Sequence, residues 1–346
     1  MGRVVVSRYA DDELRRYGIR VRPNPKANRP RTKRRPDYSN APVGMVIGVD
    51  RGRYTVLLDG VELTAARARE LRNTAITTGD RVRLTGDTSG AEGTLARIVG
   101  IEERDTVLRR SADDSDRVER VMVANAHQML IVVAAAQPEP RVRLVDRYLV
   151  AAYDAGIEPL LCVTKTDLAD PAEFLSHFDG LDLPVFTSAP GAEPIAQLAA
   201  ALAGKTTVFV GHSGVGKSTL INALVPEADR ATGHVNAVTG RGRHTSSSTV
   251  ALPLAGAAGD EPGWVVDTPG VRSFGLGHVT AESVMSGFTD LAAVIERCPR
   301  GCTHLDDAPD CELDVAMQNG EITNPHRVES LRRLLTGFQD HNQREA

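Results

Sequence analysis

Thr207-Val208-Phe209-Val210-Gly211-His212-Ser213-Gly214-Val215-Gly216-Lys217-Ser218-Thr219-Leu220-Ile221-Asn222-Ala223-Leu224 is the stretch that decides the fold. A β-branched, apolar run enters it, three glycines sit in its middle and a helix-forming run leaves it. Strand, glycine-rich loop and helix is the context that a phosphate-binding loop requires. Gly211, Gly214 and Gly216 let the backbone turn tightly, so that successive N–H groups, His212, Ser213 and Val215 among them, face phosphate oxygens near a helix N-terminus. Lys217 is placed to reach the β and γ phosphates. Ser218, followed by Thr219, offers its hydroxyl to Mg2+. An accidental glycine-rich turn is the alternative, and both flanks speak against it.

Upstream, residues 156–163 read as a buried strand that ends in Thr164-Lys165-Thr166-Asp167. Ligands of open α/β sheets gather at such strand ends. An Asp167 carboxylate there accepts from both N1–H and the exocyclic amine of guanine. Adenine has no N1–H, so the residue selects GTP over ATP. Lys165 lays its aliphatic stem along the base, and the strand-like Leu183-Pro184-Val185-Phe186 leads to Ser188 and Ala189 on the base's other side. In a GTPase this base-reading motif should follow the phosphate loop. Here it precedes it, an order that suggests circular permutation.

Downstream runs Trp264-Val265-Val266-Asp267-Thr268-Pro269-Gly270. Asp267 would hold Mg2+ through water, and the Gly270 N–H would sense the γ phosphate. Position 271 is Val, and neighbouring positions also lack the Gln that orients the attacking water in Ras-like enzymes. Intrinsic turnover should therefore be slow, on the order of 10⁻⁴ to 10⁻² per second. Between the two motifs, residues 239–248 are polar and hydroxyl-rich and read as a switch loop. Thr245 or Ser246 would complete the magnesium shell and His244 would orient water, so Lys217, His244 and Thr245 form the candidate catalytic set. A surface loop without catalytic duty competes for His244.

The chain resembles the ribosome small-subunit-dependent GTPase A family, known as RsgA or YjeQ. The resemblance is carried by Thr106-Val107-Leu108-Arg109-Arg110, Pro138-Glu139-Pro140, residues 211–219, Gly242-Arg243-His244-Thr245 and residues 267–276, and extends over nearly everything after about Ala41. It implies an α/β P-loop GTPase domain, circularly permuted, with an N-terminal OB-fold β-barrel and a C-terminal zinc-binding helical domain. It also implies GTP/GDP and Mg2+ as ligands and action late in assembly of the small ribosomal subunit, with hydrolysis stimulated by that subunit. Two departures stand out. Thr164 occupies a place usually held by Asn, which ties the base loop to the phosphate loop, so looser nucleotide binding is expected. The spacing of the Cys and His residues near the C-terminus also differs slightly from the family's.

The flanks fit this plan. Short apolar segments at 43–49, 54–58, 61–66, 81–84 and 93–101 alternate with turns, Asp59-Gly60 being a hairpin signal. Five short strands suit an OB barrel, with an SH3-like barrel left open. Near the other end, Cys298, Cys302, His304 and Cys311 supply three thiolates and an imidazole, a closed tetrahedral set for one structural Zn2+. Disulfides are the rival. The fourth cysteine, Cys162, falls in an expected core strand, and no secretory signal or long apolar span is evident, which points to the reducing cytoplasm. After Cys311, apolar positions at Leu313, Val315, Met317, Val328, Leu331, Leu334 and Leu335 follow helical spacing and read as core.

Composition sets the outer bounds. The chain has 346 residues, 41% hydrophobic and 25% charged, room for two or three globular domains. Its net charge of −4 hides an asymmetry, because residues 1–40 hold twelve Lys or Arg against four Asp or Glu. That proline-broken segment reads as a disordered arm suited to RNA phosphates. The expected divisions are a basic arm (1–40), the barrel (41–112), the GTPase domain (113–285) and the zinc-binding domain (286–346). The expected partners are the small ribosomal subunit and its rRNA, with no membrane and a monomeric state. Two other classes stay open: a P-loop ATPase, and an RNA-binding protein that holds GTP only as a structural ligand.

Overall fold

The computed structural model describes residues 37–111, 119–226, 249–254, 263–268 and 279–345. By its contacts the chain divides into a segment Met1–Asn40 and a unit Ala41–Ala346. The basic arm lies outside the described residues up to position 36, as does the 239–248 stretch with His244 and Thr245, and so does Gly270.

The five expected barrel strands form: β1 (Val43–Asp50), β2 (Arg53–Leu58), β3 (Val61–Arg67), β4 (Arg81–Gly86) and β5 (Ala96–Ile101). They pair in the order β1-β2-β3-β5-β4 and close through β4 against β1. The parallel β3–β5 pair in this closure gives the OB order. Asp59 and Gly60 both take positive φ, +48° and +81°, as a tight two-residue hairpin between β2 and β3 requires. Val46, Tyr54, Val56, Leu63, Val82, Leu84 and Ile98 fill the barrel. A hairpin, β6 (Val107–Ser111) and β7 (Glu119–Ala124), follows.

The second half of the sheet is built from β8 (Gln128–Ala134), β9 (Glu158–Thr164), β10 (Val185–Thr187), β11 (Thr206–Val210), β12 (Val250–Leu254) and β13 (Gly263–Asp267). The order is β10-β9-β8-β11-β13-β12, parallel throughout except for β12. The parallel strands therefore present their carboxyl ends along one edge. Both faces of the sheet are covered, which explains why β8 is buried along its whole length. Alternate residues go to opposite sides. Met129, Ile131, Val133, Val208 and Val210 pack with helix α1 (Val142–Asp154), while Leu130, Val132, Phe209 and Val265 pack with α3 (Ile195–Leu202) and α4 (Lys217–Leu224). A short α2 (Ala172–Ser176) lies between β9 and β10.

The C-terminal part is helical: α5 (Ala281–Met285), α6 (Ala292–Ile295), α7 (Glu312–Gln318) and α8 (Pro325–Glu345). Its apolar residues join the α1 side of the sheet in one cluster that includes Val145, Tyr148 and Leu149 as well as Leu313, Val328, Leu331, Leu334 and Leu335. The helical spacing after Cys311 thus belongs to two helices. Val315, expected in the core, stands 41% exposed because it lies on the outer side of the short α7. No helix among the described residues is long and apolar enough to cross a membrane.

Candidate nucleotide site and metal cluster

The sheet order gathers the separated sequence motifs on one edge. β11 ends at Val210, just before Gly211, β9 ends at Thr164 and β13 ends at Asp267, with Asp267 level with Phe209 in the β11–β13 register. Gly211 is required by space. Its φ is +154°, and a Cβ there would sit 2.3 Å from the carbonyl oxygen of Val132. Gly216, the residue before α4, has φ +91°, a left-handed conformation that releases the following N–H groups in helical register. His212, Ser213, Gly214, Ser218 and Thr219 are exposed along the loop, whereas Val215 is buried beneath it.

Lys217 directs its ammonium to the Asp267 carboxylate and to the Thr268 carbonyl, the latter at 3.3 Å. The cation that phosphate loops place on β and γ oxygens therefore shares ground with the carboxylate read as the magnesium holder. Ser218 supplies an exposed hydroxyl in the same first turn of α4. A carboxylate and a hydroxyl beside a phosphate cradle are hard oxygen donors of the kind Mg2+ takes, so the residues present fit that ion. Bound there, Mg2+ would neutralise phosphate charge.

The base-reading loop is held in shape by backbone bonds. The Ser188 carbonyl accepts from the Thr166 amide at 3.2 Å, and the Ser188 amide donates to the Val163 carbonyl at 2.8 Å. Ala189 closes its own small turn by accepting from Ala192 at 2.9 Å. Lys165 has φ +56°, and its ammonium donates to the Gln137 carbonyl. Asp167 is exposed, with its carboxylate available to a base edge.

Thr164 makes a tie of its own between the two loops. Its hydroxyl is buried and lies 2.5 Å from the Val215 carbonyl and 3.1 Å from the Val133 carbonyl. The tie between base loop and phosphate loop is therefore made by the shorter threonine side chain.

Two supports had no sequence signal. The Thr268 hydroxyl, 1% exposed, donates to the Phe209 carbonyl at 2.6 Å and so pins the end of β13 to β11. The Gln137 carbonyl could be placed near Lys165 only once β8 and β9 were known to be neighbours.

At the far end, the ligand atoms of Cys298, Cys302, His304 and Cys311 all lie within 4.8 Å of one another. His304 takes φ +58°, and its Nδ1 is buried with no hydrogen-bond partner, as a nitrogen reserved for a metal would be. Burial raises the Cys298 thiol to about 11 and the Cys302 thiol upward as well, so a cation at the centre is what would make them thiolates at neutral pH. The four donors fit Zn2+ in a closed, structural site. Arg332 steadies the cluster: its Nε donates to the His304 carbonyl at 3.1 Å, and its Nη2 bonds both Asp314 oxygens at 2.9 Å. Its only sequence sign is an arginine inside an apolar helical stripe. Cys162, by contrast, is fully buried in β9 and its thiol is pushed up to about 12 by burial.

The comparisons with known proteins agree with this geometry. The family model for RsgA GTPase matches residues 101–277. The small ribosomal subunit biogenesis GTPase RsgA of Pseudomonas aeruginosa (strain LESB58) is 35% identical over 274 residues, 77% of each chain. The protein of the same name from Pseudomonas fluorescens (strain SBW25) is 38% identical over 274 residues, 77% of this chain and 76% of the relative. Among solved structures, YjeQ from Thermotoga maritima superposes with TM-score 0.63 at 25% identity, covering 86% of this chain and 98% of its own. YloQ, described as a circularly permuted GTPase, superposes with TM-score 0.60 at 25% identity, covering 89% and 98%. With the phosphate loop, the base loop and Asp267 on one sheet edge in permuted chain order, these matches place the chain in the RsgA GTPase family.

Proposed function

We propose that the chain is a GTP hydrolase of small-subunit maturation. It binds the small ribosomal subunit in the GTP state and leaves it after hydrolysis that the subunit stimulates. The observation that carries the GTP half is the convergence of Lys217, Ser218 and Asp267 with the Thr164-Lys165-Thr166-Asp167 loop on one strand edge. The ribosomal half rests on relatives named as small ribosomal subunit biogenesis GTPases.

In this reading the loop at 211–219 cradles the phosphates, Asp167 selects guanine, and Asp267 with Ser218 holds Mg2+. His244, Thr245 and Gly270 act from the segments around the γ phosphate. The arm (1–40) and the barrel (41–112) contact rRNA, the GTPase domain (113–285) turns over in the cytoplasm as part of a monomer, and the zinc-binding domain (286–346) is a docking module. The exposed arginines Arg51 and Arg72 on the barrel's loops and Arg53 at the start of β2 suit phosphate contact.

The test is the affinity of the purified protein for small subunits with GDP and with a non-hydrolysable GTP analogue. Tighter binding with the analogue supports the reading, and equal affinity in the two states refutes it.

A further inference from the structure

The barrel and the nucleotide-binding sheet are joined edge to edge, and the joint lies beside Asp267. Thr78, fully buried in the loop before β4, donates its hydroxyl to the Thr249 carbonyl at 2.9 Å. The next residue, Val250, opens β12 and is paired on both sides. Gly48 of β1 faces it from the barrel, and Asp267 faces it from β13. Two residues along the chain and one ladder pair therefore separate a barrel hydroxyl from the carboxylate that meets Lys217.

The barrel side of this joint is stiff. The register of β1 against β2 shifts between Val46 and Gly48, and Ile47 packs in the cluster of Met122, Ala251 and Val266 instead of the barrel's own core. A bulge of this kind re-aims one side chain without ending the strand. Around Thr78, the Gly79 amide donates to the Val46 carbonyl at 2.8 Å, and the Thr78 carbonyl accepts from the Ala124 amide at 3.0 Å. Asn125 donates its side-chain amide to the Gly79 carbonyl at 2.8 Å, and Thr77 donates its hydroxyl to the Met122 carbonyl at 2.6 Å. Asp80, fully buried, is gripped by Arg104 at 2.7 and 2.9 Å. Gly79 allows the approach: its φ is +90°, and a Cβ would lie 1.9 Å from the Ala124 carbonyl oxygen.

A rigid loop that holds the carbonyl just before β12 sets where that strand begins. On these grounds we propose that Thr78 is a positioning residue for GTP hydrolysis, acting from the barrel. By fixing Thr249 it sets the height of Val250 and, through the ladder pair, of Asp267 against the phosphate loop. The barrel thereby becomes part of the hydrolytic machinery as well as a contact surface, so whatever shifts the barrel also shifts the magnesium-side carboxylate. This inference rests on the strand edge being the GTP site.

The test uses the full-length protein and its Thr78→Val and Thr78→Ser variants. kcat and KM for GTP, GDP affinity and thermal melting are measured for each. Thr78→Val removes the hydroxyl at nearly constant volume. It should lower kcat about five- to tenfold, the scale of one buried hydrogen bond, with KM and GDP affinity within about twofold. Thr78→Ser should restore kcat. If Thr78→Val fails to fold, Thr78→Ala carries the same comparison. Unchanged kcat in the hydroxyl-free variant overturns the proposal. So does a loss of kcat that the serine variant shares, or one that follows only the fraction unfolded. Failure of the wild-type chain to bind GTP at all would instead sink the assignment of the nucleotide site.

Discussion

The Lys217 ammonium meets the Asp267 carboxylate across the gap between α4 and the end of β13. One side chain belongs to the phosphate loop and the other to the strand that leads towards Gly270, so the contact joins the two halves of the site. The Lys217 side chain is largely buried there, 11% exposed, and the Thr268 carbonyl takes a second of its protons. Removing the ammonium leaves phosphate charge without its nearest cation. Lys217→Ala should lower kcat for GTP by about a hundredfold or more, measured by phosphate release at saturating GTP. Asp267→Asn should raise the Mg2+ concentration that gives half-maximal rate by about tenfold or more.

Thr164 separates the two loops' stabilities from the base contact itself. Its hydroxyl is the bond to Val215, so Thr164→Val should weaken GTP and GDP alike by about five- to tenfold, while Thr164→Ser should bind as the wild type does. Titration with a fluorescent guanine nucleotide reads both.

Asp167 is predicted to decide the base. An amide at this position can donate where a carboxylate cannot, so Asp167→Asn should lower GTP affinity by about a hundredfold or more. The same variant should gain affinity for xanthosine triphosphate, whose 2-oxo group accepts where guanine's amine donates. Competition between the two triphosphates measures the exchange.

One zinc per chain is predicted by elemental analysis of the purified protein. Cys311→Ser should lose the metal and lower the melting temperature, because Cys311 is buried in the cluster that also holds Leu313 and Leu331. Cys162→Ser should keep the metal, since that thiol lies in β9 and outside the group of four.

Arg327 anchors α8 to the rest of the molecule. It bonds Asp290 at 2.7 Å and the Gly180 carbonyl at 3.2 Å, and lies 4.5 Å from the Phe288 ring centre. Replacing it by Met takes the donor from the Gly180 carbonyl, while the half-exposed Asp290 carboxylate turns to water, and should cost about 1–3 kcal/mol in denaturant unfolding. The arginine also holds the Asp290 carboxyl below its usual value of 3.8. A depressed carboxylate contributes stability that is present above the usual value and lost as pH falls through the folded one. The gap between wild type and Arg327→Met should therefore narrow below about pH 4.

Much of this was legible in the sequence because the signals are local. The phosphate loop is set by glycines whose backbone must turn, and Gly211 does sit where a Cβ has no room. The barrel strands could be read from alternation and from Asp59-Gly60. The strand β12 was not, since Val250-Ala251-Leu252-Pro253-Leu254 is short and carries Pro253, which the sheet tolerates because β1 pairs β12 only at Val250. The contact made by Thr164 was not legible for a related reason. Its partner Val215 lies 51 residues away, and no local pattern shows that a hydroxyl reaches that carbonyl. Thr78 and Thr249 are 171 residues apart, so their bond emerges only from the folded chain.

We propose above all that the chain is a GTPase that answers to the small ribosomal subunit. The most direct test is steady-state GTP hydrolysis by the purified protein, alone and with purified small subunits, with ATP and large subunits as controls. Turnover is expected to be slow alone and strongly accelerated by small subunits, with no comparable effect from large subunits or with ATP. GTP binding with a rate that small subunits leave unchanged would contradict it.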